Sequence, residues 1–296
     1  MVAVNNLNQT MRTMETTQNR IATGLRVNDA SDNAAYWSIA ATMKSDNGAL
    51  SSVRDGLNLG SATIDVASSA LNSSKDVINE IKEKLIAAAQ PGVDRAKVQA
   101  EITSLQDQLD SISSSATFSG QNWLKQDSGA AGYNTTRSVV ASFSRDENGA
   151  AQLGTIEIDV SLMKLYDIDD QSGIIDKDRT VGSTTASLAS IDISALTDSA
   201  ADMQTLNDYL SITDTALDEV INAASGVGAS QTRLDMQSSF ISSLTDAVTK
   251  GIAALVDADM TQESTRLQAL QVQQQLGVQA LSIANQNTSM IMKLFQ

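Results

Sequence analysis

Thirty-five Asp and Glu side chains are the ionisable groups most numerous in this chain of 296 residues. Two carboxylates held close together can serve as general acid and general base, and Asp169 beside Asp170, or Asp257 near Asp259, are pairs of that kind. Such work needs a concave, partly desolvated setting, and the surrounding sequence offers no sign of one. A solvated face or a contact between copies is the expectation for both pairs.

The acidic run "YDIDDQSGIIDKD" invites a calcium reading, because an EF-hand loop sets Asp ligands around a Gly at position six and a Glu at position twelve. Counted from Asp167, position six is Ser172 and position twelve is Asp178, so the match fails. A solvated surface loop is expected, with a weak cation site as the alternative.

The chain has no Cys and no His. That excludes disulfides, thiolate nucleophiles, the usual zinc ligand sets and every triad with an imidazole base. No catalytic residue, no metal and no cofactor is expected. Asn72, Asn134 and Asn287 fit the N-glycosylation pattern. Two of them fall on predicted helix faces, which leaves Asn134 and its neighbouring threonines as the better-placed modification site.

A formal net charge of −15 argues against nucleic acid and anionic lipid as partners, since phosphate binding needs clustered Lys and Arg. The longest apolar runs, "LIAAA" and "GIAALV", fall short of the roughly 20 residues that cross a bilayer. No membrane insertion is expected, and no charged patch with an apolar stretch behind it marks a Sec signal at the start.

The elements that would position any site are read from periodicity. Leu50, Val53, Leu57, Gly60, Ile64, Ala67, Leu71, Ser74, Ile78, Ile81, Leu85 and Ala88 form an alternating three-four lattice, one narrow apolar seam along a long helix. Pro91-Gly92 breaks it, and a second seam follows at Val98, Ile102, Leu105, Leu109, Ile112 and Ala116, so an antiparallel helical hairpin is expected. A third runs from Leu206 to Leu255 with polar positions at Thr213, Gln231, Ser238 and Thr245. The glycines in "GVGAS" cost it about 1 kcal/mol each, which predicts a kink or local break at Gly226 to Ser230.

Both ends carry weaker seams: Leu7, Met11, Met14, Ile21 and Leu25 at the start, and Leu267, Leu270, Gly277, Leu281, Ala284, Ile291 and Leu294 at the finish. Neither sustains a helix alone in water, so each needs the other or neighbouring copies. Met11, Met14, Met43, Met236, Met260, Met290 and Met292 are read as packing residues in these helices. Between the helical halves, "SVVASFS" and "GTIEIDVS" read as strands around an Asn-Gly turn. The fold class is mainly α: a long antiparallel helical rod with a small β-containing insert and the termini together at one end. Only 3% of residues are aromatic, yet Tyr36 and Trp37 stand side by side after the turn-rich "TGLRVNDASDN"; they are expected to pin that connector against the helices.

The segments "TQNRIATGLRVNDASDNAAYWSIAATMKSDNGAL", "LNLGSATIDVA", "FSGQNWL" and "VDADMTQESTRLQALQVQQQLGVQALSIANQNTSMIMKLFQ" resemble bacterial flagellin, and "SDNAAYWSIA" is most similar to the alphaproteobacterial members. The resemblance covers Asn5 to Leu124 and Leu206 to Gln296. It implies a structural subunit of the extracellular flagellar filament, exported unfolded by the flagellum's own type III apparatus and polymerised at the tip. It implies inner terminal helices (the D0 layer) at 1–34 and 257–296, a helical rod (D1) at 35–124 and 200–256, and a variable outer domain (D2) at 125–199. Self-assembly would rest on Leu7, Met11, Met14, Ile21, Leu25, Tyr36, Trp37, Leu267, Leu270, Leu281, Ile291 and Leu294.

The partners implied are further copies and other flagellins, an export chaperone at the C-terminal helices, and the filament cap and junction proteins. The alternatives are a flagellin-like surface protein that binds a carbohydrate or host ligand through the insert, or a hook–filament junction protein. Family members carry about eight to ten further residues before "NNLNQTM", so this chain begins early. Some carry an H-E-x-x-H protease motif, impossible here without His. The arginine-centred patch read by the flagellin-specific Toll-like receptor aligns with "NEIKEKLI", where Glu80, Lys82 and Lys84 stand; this implies weak or absent activation of that receptor.

Overall fold

The structure, a computed structural model, describes the backbone of residues 2–294 and the side chains of residues 4–283. The chain divides into two compact units, Met1–Ala49 with Ser243–Gln296, and Leu50–Ser242. Five helices run through it: α1 (Val2–Thr23), α2 (Ala30–Ala88), α3 (Arg95–Ser115), α4 (Ala200–Val256) and α5 (Met260–Leu294). Helices α2 and α4 supply residues to both units.

In the unit Leu50–Ser242 the seam of α2 is buried at every one of its twelve positions, from Leu50 to Ala88. Ile102 and Leu109 of α3 and Leu206, Ile212, Val220, Val227, Leu234 and Ile241 of α4 are buried as well. The α2–α3 reversal follows the punctuation: Gly92 takes a left-handed φ of 82°, and Asp94 caps α3 by accepting from the Lys97 amide. Helix α4 runs through Gly226 to Ser230 without a break. Val220, Ala223, Val227 and Leu234 are buried on either side, and that packing outweighs two glycines. Among the described residues α4 alone has the length and composition of a membrane-crossing helix, but Ser, Thr, Asp and Lys interrupt its apolar runs every few residues.

The segment between α3 and α4 carries strands β1 (Thr117–Phe118), β2 (Gln121–Asn122), β3 (Lys125–Gln126), β4 (Thr136–Arg145), β5 (Ala151–Asp159), β6 (Tyr166–Asp167), β7 (Arg179–Val181) and β8 (Thr184–Ala186). They pair two by two: β1 with β2, β4 with β5 and β7 with β8 antiparallel, and β3 with β6 parallel. The β4–β5 hairpin is the one expected, turned at Gly149 with φ 81°. It approaches α2 so closely that a Cβ on Gly60 would lie 2.7 Å from a Val139 methyl, so glycine is required at that seam position. The register slips between Val140 and Ser142, and the carbonyl of Ala141 at this bulge accepts from the Gln237 amide of α4 at 2.8 Å.

Glutamines of α3 satisfy the irregular backbone that follows. Gln106 donates to the Leu188 and Ile191 carbonyls at 3.0 and 3.2 Å, and Gln99 accepts from the Ile193 amide at 2.9 Å. The acidic loop is solvated only in part. Asp167, Gly173, Ile174 and Ile175 are buried, while the stretch from Ile168 to Ser172, with Lys177 and Asp178, is exposed. Its centre is a buried ion pair between Lys164 and Asp167.

Candidate functional site

The terminal unit holds most of the residues that periodicity singled out for assembly. Its centre is the connector after α1. Gly24, with φ 72° and its amide donating to the Arg20 carbonyl at 2.8 Å, ends that helix. Leu25 then pairs antiparallel with Asp257 in the α4–α5 joint. The Arg26 and Val27 amides donate to the Val256 carbonyl at 2.6 and 3.2 Å, and the Ala258 amide donates to the Gly24 carbonyl at 2.9 Å. Arg26 also donates through Nη2 to the Leu255 carbonyl at 2.9 Å, where the last turn of α4 leaves acceptors unpaired. Beneath this lace Val27, Ala40, Ile252 and Val256 form a small core, edged by Leu25, Met43, Val248 and Leu255.

The polar run Asn28 to Asn33 folds into consecutive caps. Asp32 accepts from the Asn28 amide at 2.9 Å, and Asp29 accepts from the amide and hydroxyl of Ser31 at 2.7 and 2.5 Å. Those Ser31 bonds hold Asp29 below the usual carboxylate range. Asn33 leaves helical geometry, with φ −163° and ψ 101°. Its side chain accepts from the Ala35 and Tyr36 amides at 3.1 Å, capping the long continuous part of α2.

Tyr36 and Trp37 therefore sit on the first turn of a helix and not in the connector. They are 43% and 42% exposed and take no part in the small core under the connector. The pinning falls to Arg26 and Val27, which periodicity passed over because neither lies on a seam. The one deeply buried tryptophan is Trp123, 4% exposed, in the turn after α3 where Asn122 donates to the Ser113 carbonyl at 2.7 Å.

Helices α1 and α5 pack on each other. Leu7 meets Gly277, where an added Cβ would lie 3.3 Å from its Cδ1, and Arg20 pairs with Glu263 at 3.1 Å. Asp259 caps α5 by accepting from the Thr261 and Gln262 amides at 2.9 and 3.1 Å, so it is committed to the backbone and not to proton transfer. The shared interface is thin. Leu270 is buried, but Leu7, Met14, Ile21, Leu25, Leu267 and Leu281 are only half-buried. Met11 and Met260 are exposed, as is Met236 in the other unit, so packing within one chain does not account for these methionines. Val4, Ile39, Val272, Leu276, Val278 and Ile283 are also exposed on this unit, between 46% and 60%. The Met290, Ile291, Met292 and Leu294 side chains, and that of Asn287, lie outside the described residues.

Charge divides as sharply as burial. The terminal unit carries seven Lys and Arg against eight Asp and Glu; the other unit carries thirteen against twenty-seven. Elsewhere, Glu80 is exposed. Lys82 pairs with Asp214 of α4 at 2.6 Å. Lys84 pairs with Glu101 of α3 and not with Glu80; the Glu101 bond, helped by the nearby Glu80 and Glu83 charges, raises its pKa. Asn134 is exposed, and its side-chain Oδ1 accepts from the Thr136 amide and hydroxyl at 3.1 Å.

Residues 1–128 match the bacterial flagellin N-terminal helical region, and residues 210–295 match the bacterial flagellin C-terminal helical region. The chain belongs to the flagellin family. It is 43% identical to flagellin C of Rhizobium meliloti strain 1021, over all of this chain and 97% of that one. It is 41% identical to flagellin of Brucella melitensis biotype 1, over all of this chain and 96% of that one. A crystal structure of Bacillus cereus flagellin aligns with 63% of this chain and 88% of its own at a TM-score of 0.40 and 17% identity. The family is one of structural proteins that form the extracellular flagellar filament, and this chain is a filament subunit, not an enzyme.

Proposed function

We propose that α1, α5 and the first turns of α2 are the surface through which copies of this chain polymerise. The observation that carries the reading is the row of large apolar side chains left exposed on the one unit that is nearly free of net charge. Apolar surface removed from water contributes about 25 cal/mol per Å², and here it is gained without the repulsion that two strongly acidic faces would feel. Tyr36, Trp37, Met11, Leu267 and the other assembly residues act together with Val272, Leu276 and Val278 from neighbouring copies. Their contacts are heterologous and do not close, which generates an open helical filament.

Three further readings follow from family membership. The layers run 1–34 with 257–296, 35–124 with 200–256, and 125–199. The chain leaves the cell through the flagellar export apparatus, with a chaperone on its C-terminal helices, and meets the cap and junction proteins at the ends of the filament. The face bearing Glu80, Lys82 and Lys84 is a poor ligand for the flagellin-specific Toll-like receptor, because Lys82 and Lys84 are engaged by Asp214 and Glu101 and Glu80 offers no donor fork.

Electron microscopy of the purified chain at rising concentration tests the main reading: long tubes are expected, and their absence under seeding overturns it. For the receptor, a reporter assay with endotoxin-free monomer is expected to show little signal, with Glu80→Arg restoring only part of it. Strong activation by the unmodified chain contradicts that expectation.

A further inference from the structure

In a chain of net charge −15, three arginines gather on the terminal unit. Arg12 and Arg20 of α1, with Arg266 of α5, line a depression of about 190 Å³ whose other walls are Thr13, Thr16 and Thr17. The Thr13 and Thr16 hydroxyls are spent on the Gln9 and Arg12 carbonyls at 2.9 and 3.0 Å, so the donors left to this depression are chiefly guanidinium N–H groups. Arg20 uses Nη1 on Glu263, while its Nε is buried without a hydrogen-bond partner. Arg12 and Arg266 are exposed and have no ion-pair partner among the described residues.

The planar forks of Arg12 and Arg266, beside the Glu263-bound guanidinium of Arg20, match a carboxylate in shape as well as charge. We propose that this depression is a carboxylate-binding site, filled by an acidic side chain from a second copy of this chain. The inference rests on the polymerisation reading above. Charge complementarity names the occupant: the rest of the molecule is rich in carboxylates, and this cluster is the complementary positive feature. The terminal unit itself presents Glu15 and Asp246, both exposed and without an ion-pair partner among the described residues. Each copy thus carries both halves of a contact that can repeat along a helical polymer.

The test measures the critical concentration for seeded polymerisation of the full chain, by sedimentation, in low and high salt. The Arg12→Gln/Arg266→Gln variant is expected to raise it by at least about tenfold at low salt, with unchanged monomer circular dichroism, while Arg12→Lys/Arg266→Lys recovers part of the loss. Because salt screens an ion pair, the gap between parent and Gln variant is expected to narrow at high salt. A critical concentration and salt dependence equal to the parent's overturn the inference and leave the polymerisation reading intact. If inorganic sulfate at fixed ionic strength stabilises the monomer through these arginines while assembly is unaffected by their loss, the site takes a free anion and the second-copy occupant is wrong. Failure of the parent chain to form filaments at all overturns both.

Discussion

Asp167 carries its charge where water does not reach, with 2% of its surface exposed. Burial pushes its pKa up, but the Lys164 ammonium and the Ser128 and Asp169 amides outweigh that and hold it well below the usual carboxylate range. A depressed carboxylate contributes stability above its unfolded value, and that stability is lost as pH falls from the ordinary value of 3.8 downward. Lys164→Met removes the partner and leaves the charge buried, which is expected to cost about 3–5 kcal/mol at neutral pH. The cost should shrink toward pH 4, where protonation of Asp167 removes the orphaned charge; denaturant midpoints across that range check it, and a pH-independent loss contradicts it. Trp37 is the opposite case. Since it is 42% exposed, Trp37→Ala is expected to change monomer stability by about 0.5 kcal/mol or less and to impair polymerisation. Tryptophan fluorescence with a soluble quencher reads the same claim: accessible in monomer, protected in filaments.

At the scale of elements, what was legible in the sequence was whatever repeats. All twelve seam positions of α2 are buried, because a three-four lattice leaves a long helix only one face to hide. The β4–β5 hairpin was readable from alternation and its turn. What escaped were single polar residues that join elements distant in sequence. Arg95 is one of these: 6% exposed, it donates from Nε to the Ala88 carbonyl at the end of α2 at 3.0 Å and from Nη2 to Asp198 ahead of α4 at 2.7 Å. No periodic signal marks it. Arg95→Ala removes hydrogen bonds to a charged donor and opens both joints, so a loss of about 2–3 kcal/mol is expected, with Arg95→Lys recovering little because it lacks the fork. Thermal unfolding monitored by circular dichroism measures it, and a shift within error of the parent contradicts the role. The candidate surface was half legible for a similar reason. The terminal seams mark α1 and α5, but the lace of Arg26 and Val27 on Val256 is built from main-chain bonds that side-chain periodicity does not encode.

The molecule as a whole separates a well-packed unit from a thinly packed one. Residues 50–242 bury long apolar seams, whereas α1 and α5 share an interface of mostly half-buried side chains and leave apolar residues in water. Helices so placed draw most of their stability from packing and not from propensity, and the missing packing is what neighbouring copies would provide, coupling the ordering of the ends to assembly. Hydrogen exchange, compared between monomer and filament, tests this most directly. The account predicts fast exchange at the amides of α1 and α5 in the monomer and strong protection in the filament, with the amides of residues 57–88 protected in both. Terminal helices as protected in the monomer as in the filament would contradict it.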